Sequence, residues 1–282
     1  MITPSASTLG APGIPLAVVL GWLHRNRIHG IELRLAANEI ADPAMNLPDR
    51  EALRKRIAAA GVRVTGIASY VKVAAPGDDD AVIAELIQAL DLARDLGAPA
   101  VRVFPGAETE PCAFTQAPRM VERREDVDRR AARRLSAVSP YAAALGVLPV
   151  LETHDSHPTG KDIAAILQDV DGPVGAVWDL MHPWRVGEGL QETWSALAPW
   201  LTAGNGSVQV KDADMPRSSV PVLVGTGSLP TEEFAQLLVR NGYQGPVTLE
   251  WEKAWYPQVE DLDVALGSVR TWLDRHWEKD IN

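Results

Sequence analysis

Short apolar runs alternate along the chain with longer segments in which apolar residues recur at helical spacing. That alternation predicts strands joined by crossover helices, and therefore a parallel sheet. The strand-like runs fall at residues 2–7, 30–35, 62–69, 100–104, 146–152, 174–179, 207–211 and 246–250. Helical patterns fall at 14–27, 48–60, 78–96, 160–168, 191–201, 231–241 and 259–277, with one more around the arginine-rich stretch from Arg123 to Arg134. Gly61 and Gly97 stop two of these helices. The run Asp78, Asp79, Asp80 suits the positive end of a helix dipole, and Thr231 is a candidate N-cap. Eight strand–helix units without a linker predict an α/β protein, a single-domain (β/α)8 TIM barrel over residues 1–282. Residues 105–119 follow the fourth run without periodicity, and a long irregular loop at that place is a candidate lid.

The later runs share a manner of ending. Side chains two apart on a strand share a face, so Glu152 and His154 in Leu151-Glu152-Thr153-His154-Asp155 point at the same mouth. The sixth run ends at Asp179, with His182 shortly after; the seventh carries Gln209 into Lys211 and Asp212; the eighth ends at Glu250. Successive strands that each deliver a polar side chain at the C-terminal end describe the active-site face of a β/α barrel. Three carboxylates converging on one rim repel one another, and a divalent cation is the simplest remedy. An oxygen set of Glu152, Asp179, Gln209 and Glu250 suits Mn²⁺ or Mg²⁺, with Co²⁺ or Zn²⁺ as alternatives. A cation that holds a carbonyl and the adjacent hydroxyl acidifies the C–H beside the carbonyl and favours an enediolate. Glu152 and Glu250 could then take and return the proton. His154 and His182 are candidates to bind substrate hydroxyls, and Lys211 to neutralise the enediolate oxygen. Glu32, ending the second run, is a candidate substrate contact or a rim partner for Arg34. Arg102 and Arg217 are each open between an anion contact and a structural ion pair. Trp178, Trp184, Trp251 and Trp255 cluster near strand ends, either as packing or as an aromatic wall for a sugar. His157 and Cys112 read as incidental.

Charge narrows the partners. A net charge of -10 disfavours nucleic acid, whose binding depends on neutralising phosphates. The arginines between 123 and 134 alternate with Glu and Asp, which predicts a solvated, salt-bridged helix face. A single cysteine allows no internal disulfide, the start of the chain has no basic-then-apolar leader pattern, and the apolar run at 14–23 is far short of a membrane span. The expectation is a cytoplasmic protein with a small-molecule substrate and no membrane or nucleic-acid partner; assembly into a homo-oligomer stays open.

The pieces Leu151-Glu152-Thr153-His154, Asp179-Leu180-Met181-His182, Gln209-Val210-Lys211-Asp212, Gly225-Thr226-Gly227 and Gly242-Tyr243-Gln244-Gly245-Pro246-Val247-Thr248-Leu249-Glu250 follow one another in this order. That order resembles the sugar phosphate isomerase/epimerase superfamily, the xylose isomerase-like TIM barrels, which also include AP endonucleases. The resemblance implies that Glu152, Asp179, the Gln209 position and Glu250 bind the metal, and that the two glutamates move the proton. Most such enzymes have His where this chain has Gln209, and Gln there resembles the hydroxypyruvate isomerase branch. The family often has an acidic residue at the position of Thr226. The expected activity is metal-dependent isomerisation or epimerisation of a sugar, sugar phosphate or hydroxy-keto acid. A lyase of the inosose or dehydroshikimate dehydratase type is the alternative on the same site, and a carbohydrate-binding barrel without activity a further one. An endonuclease would need more histidines and a basic face, and His24, His29 and His276 lie outside the expected rim.

Overall fold

The protein is seen in a computed structural model that describes residues 1–202 and 204–277. Among these residues, eight parallel strands close a barrel in chain order. They are β1 (Thr3–Ser7), β2 (Gly30–Arg34), β3 (Arg63–Lys72), β4 (Ala100–Phe104), β5 (Leu148–Glu152), β6 (Gly175–Asp179), β7 (Ser207–Val210) and β8 (Pro246–Leu249). Pairing of β1 with β8 completes the ring. Helices α1 (Leu16–Arg25), α2 (Leu47–Ala59), α3 (Asp79–Leu96), α4 (Arg124–Leu145), α5 (Gly160–Leu167), α6 (Met181–Arg185), α7 (Leu190–Leu201), α8 (Thr231–Arg240) and α9 (Leu262–Trp277) follow the strands in turn.

The side-chain alternation of a strand sorts this barrel into two cores. Outward-facing residues meet the helices: Trp178 is wholly buried and packs edge-on against Phe234 of α8 at 4.8 Å. Trp251, just past β8, is also buried and donates Nε1–H to the Glu260 carbonyl. Both tryptophans are therefore packing. Inward-facing residues of the same strands are polar near the top, Asp179 beside Trp178 and Glu250 beside Trp251. Below them Glu32, Arg102, Val150, Val177 and Thr248 line an interior cavity of about 70 Å³.

Register sets the heights at which the polar ends emerge. Gln209 pairs with Asp179 on one side and Thr248 on the other, while Glu152 pairs with Val177. Glu152 thus sits one pleat below Asp179, and Glu250 one pleat above Gln209, a stagger that follows from the tilt of barrel strands.

Two expectations need correction. Thr231 is the first residue of α8 and Pro230 occupies the cap position, with no side-chain cap bond, so Thr231 does not cap the helix. The arginine-rich stretch is solvated at Arg123, just before α4, and at Arg129 and Arg133 on it, but not at Arg134, which is fully buried. Its guanidinium bonds to Asp79 and to the carbonyls of Val73, Ala75 and Gly77. Those carbonyls belong to the loop after β3, which reaches the helix only in the folded chain.

Candidate active site

The ends of β5 to β8 bring one oxygen each from Glu152, Asp179 and Glu250 to within 4.8 Å of one another. The backbone aims each of them. Asp179 N–H donates to Thr153 Oγ1 at 3.1 Å, and Asp179 Oδ1 accepts from Met181 N–H at 2.7 Å, the first turn of α6. Asp179 Oδ2 is left facing the barrel axis, 2.8 Å from Lys211 Nζ. Glu152 Oε2 accepts from Arg102 Nη1 at 2.8 Å, and its Oε1 has no hydrogen-bond partner. Gln209 donates from Nε2 to Glu32 at 3.4 Å, and its Oε1 is buried without a partner. Buried oxygens are almost always satisfied. Orphaned acceptors beside clustered carboxylates are the arrangement a hard cation completes, and the donor set present fits a divalent metal.

Burial sets the electrostatics. It pushes the Glu152 carboxyl up to about 7, against the downward pull of Arg102 and His154. Glu32 is raised as well, by burial first, with Arg102 opposing it. Burial drives the His182 imidazole well below its ordinary value, and the His154 and Lys211 charges add to this. Arg185 Nε donates to His182 Nδ1 at 3.2 Å, so the neutral ring carries its proton on Nε2. His154 behaves differently. Burial alone would lower it, but Asp155 and Glu152 outweigh burial and its net direction is up. The two imidazoles meet edge-on with centroids 4.5 Å apart, and His154 lies 4.1 Å from the Phe104 ring. Of this cluster, Arg102, His154, Asp155, Glu250 and Glu252 open into a pocket of about 360 Å³ that Tyr70, Lys72, Phe104 and Trp255 also line.

Residues 22–275 match the family described as the xylose isomerase-like TIM barrel. The chain belongs to this family. A provisionally assigned hydroxypyruvate isomerase of Streptomyces coelicolor is 28% identical over 235 residues, 79% of this chain and 81% of the relative. An L-ribulose 3-epimerase superposes with a TM-score of 0.77 at 20% identity, covering 99% of this chain and 95% of that one. The IOLI protein, solved with a zinc atom, superposes with a TM-score of 0.76 at 15% identity over 96% and 98% of the two chains. At these identities the two structures share the barrel fold with this chain. No helix among the described residues is long and apolar enough to cross a membrane.

Within this xylose isomerase-like barrel the expected site residues separate into three groups. Glu152, Asp179, Gln209, Glu250, His154, His182 and Lys211 come together at the top of the barrel. Glu32 stands inside the barrel as the partner of Gln209, and Arg34 pairs with Glu39 instead. Arg217 is 79% exposed and pairs with Asp214, so it stays outside the pocket. His157 is not incidental: fully buried, it links Ser156 to Asp128 of α4 and ties the loop after β5 to that helix. Asp212 accepts from the backbone N–H of Gly225 and Gly227 at 2.9 Å each, which accounts for the Gly-Thr-Gly turn. A Cβ on Gly227 would lie 2.2 Å from Asp212 Oδ1, so only glycine fits there.

Three participants went unread in the sequence. Glu252 bonds to Lys211 at 2.5 Å; its place two residues beyond Glu250, on the same face, was the available signal. Arg185 bonds to His182 and to the Phe114 carbonyl in residues 105–119, joining the candidate lid to the site. Asp155, at a positive φ of 35° that non-glycine residues seldom adopt, accepts from Gly106 N–H at the base of the same loop. No local sequence signal announces either of these two contacts.

Proposed function

We propose that this barrel is a divalent-metal-dependent isomerase or epimerase of a small hydroxy-carbonyl compound: a sugar, sugar phosphate or hydroxy-keto acid. The observation that carries the reading is the convergence of Glu152, Asp179 and Glu250 within 4.8 Å, with an unpartnered oxygen on Gln209, the register partner of Asp179, and a pocket of about 360 Å³ that Glu250 lines. Glu152, Asp179, Gln209 and Glu250 would hold the cation. The oxygen-rich set favours Mn²⁺ or Mg²⁺ over Co²⁺ or Zn²⁺, although the IOLI structure contains zinc. When bound, the cation supplies positive charge that stabilises an enediolate.

The protein's own groups do the rest. Glu152, whose carboxyl burial raises in the metal-free chain, is one of two glutamates placed to exchange a proton with the substrate. Arg102 fixes its Oε2 and so sets the orientation of the carboxyl. Glu250 serves the opposite face. His182 presents Nε2–H to a substrate oxygen, and His154, edge-on against it, positions the ring. Lys211 adds a positive charge next to the developing oxyanion. The Streptomyces relative's assignment as a hydroxypyruvate isomerase agrees with a small hydroxy-carbonyl substrate. A dehydratase is the second reading: the Glu152 carboxyl, which burial keeps protonated well above the usual carboxylate range, could give its proton to a departing hydroxyl. Product analysis by NMR separates the two, because dehydration creates an alkene or enol.

The test is metal dependence followed by exchange. Chelator-stripped protein is melted with Mn²⁺, Mg²⁺, Co²⁺ or Zn²⁺ added singly, for wild type and Glu250→Gln. Binding to the folded state raises the melting temperature by mass action. A rise that Glu250→Gln abolishes, then substrate-dependent incorporation of deuterium from D₂O with a ketose or hydroxy-keto acid, supports the reading. No rise with any of the four ions overturns it.

A further inference from the structure

Lys211 is 2% exposed and its ammonium is shared by three carboxylates. Nζ lies 2.8 Å from Asp179 Oδ2 and 2.5 Å from Glu252 Oε1, and contacts Glu250 Oε2 as well. Two of these oxygens belong to the carboxylates that, on the metal reading above, hold the cation. An ammonium and a divalent ion cannot both sit on Asp179 and Glu250, because like charges at contact distance in a poorly screened site repel strongly. Nor can the ammonium simply be abandoned there, since a buried charge stripped of its partners is costly.

Glu252 resolves the conflict. It stands outside the group of oxygens that converge on one point, yet it already touches Nζ. Its side chain is 15% exposed, so the pair it forms with Lys211 is shielded from water. The neighbouring cation on that segment, Lys253, is engaged with Asp261 and the Val259 carbonyl and does not compete for Glu252. The backbone on both sides is pinned: Glu250 N–H donates to the Val210 carbonyl at 3.0 Å. Only the end of the lysine side chain needs to pivot, and an ammonium with three donors can trade partners without losing all of them.

We propose that Glu252 is a positioning residue that holds the Lys211 ammonium when Asp179 and Glu250 turn to the cation, so that the lysine stays at the site as a fixed positive charge and does not compete for the ligand oxygens. The inference rests on the metal reading. It gives Glu252 a role through Lys211 and not as a ligand, and that distinction is measurable.

The experiment is isothermal titration of Mn²⁺ into the chelator-stripped full chain near neutral pH, as wild type, Glu252→Gln, Lys211→Met and the double variant. Glu252→Gln should bind Mn²⁺ about tenfold more weakly, within the range found for residues of one ion-pair network. Lys211→Met should bind at least as tightly as wild type, and the double variant should match Lys211→Met. Unchanged affinity in Glu252→Gln overturns the proposal. So does a double variant as weak as Glu252→Gln, which would make Glu252 a ligand. If Glu252→Gln does not fold, Lys211→Met alone decides: weaker binding than wild type means that the amine is no competitor and overturns the proposal. Failure of wild type itself to bind Mn²⁺ is a different result, which removes the metal reading first.

Discussion

Strands β5 to β8 bring Glu152, Asp179, Gln209 and Glu250 to one side of the pocket, whereas β2 to β4 bring Arg34, Tyr70, Arg102 and Phe104 to the other. The second side settles its own charges. Arg34 pairs with Glu39, bonds to Tyr70 Oη and lies 4.8 Å over the Trp255 ring. Arg102 stacks 4.0 Å from the Phe104 ring. The first side does not settle: Glu152 Oε1 and Gln209 Oε1 lack partners, and one ammonium serves three carboxylates. Arg102, bonded to Glu152, is the bridge between the sides. On the proposed function, the unsettled side would receive charge and the settled side a substrate's apolar faces.

The hardest blow to the contrast falls on the acidic side. Glu152→Gln keeps the shape and removes the proton carrier, and kcat should fall by about 10²–10⁴-fold, measured by deuterium exchange into the substrate. Cutting the bridge comes next. Arg102→Leu leaves Glu152 buried without its partner, and urea denaturation of the metal-free protein should show a loss of about 3 kcal/mol. On the aromatic side, Trp255→Ala removes contact area from substrate and transition state alike. KM should rise about tenfold with kcat nearly unchanged.

A fourth prediction uses pH. The Glu152 carboxyl titrates at about 7 in the fold against an ordinary 4.5. Between those values the folded chain holds a proton that the unfolded chain has lost. The contribution is therefore complete below the lower value and is lost as pH rises through the upper one. Melting temperatures of metal-free protein should fall between pH 5 and 8 by an amount that Glu152→Gln reduces. The smallest effect is expected at Arg217→Ala. Being solvent-exposed, it should leave stability within about 0.5 kcal/mol and kinetics unchanged, and a larger effect on KM would extend the pocket to the loop after β7.

The acidic side was legible in the sequence because strand parity is local. Glu152 and His154 are two apart, and Asp179 and Glu250 end their strand-like runs, so alternation gathers the carboxylates on one face; for Trp178 and Trp251 the sequence left packing and an aromatic wall open, and burial against the helices decides for packing. The eight-fold order of strands and helices was legible for the same reason, since each unit is set by its own periodicity. Trp255 was different. Nothing in its neighbourhood separates a wall from packing; the structure shows it half-exposed, lining the pocket beside Arg34 and Tyr70 from other strands.

What the sequence determined by itself, then, is the fold class and the face on which polar side chains gather, because period and parity are properties of neighbouring residues. What only the tertiary structure decided is partnership. Glu32 serves Gln209 across the barrel, Arg102 serves Glu152, Arg134 threads the loop after β3, and Lys211 lies among three carboxylates. Each of these depends on strand register and barrel tilt, which place side chains far apart in the chain at one height. In a site where burial magnifies every charge, the partner determines what a titratable group does.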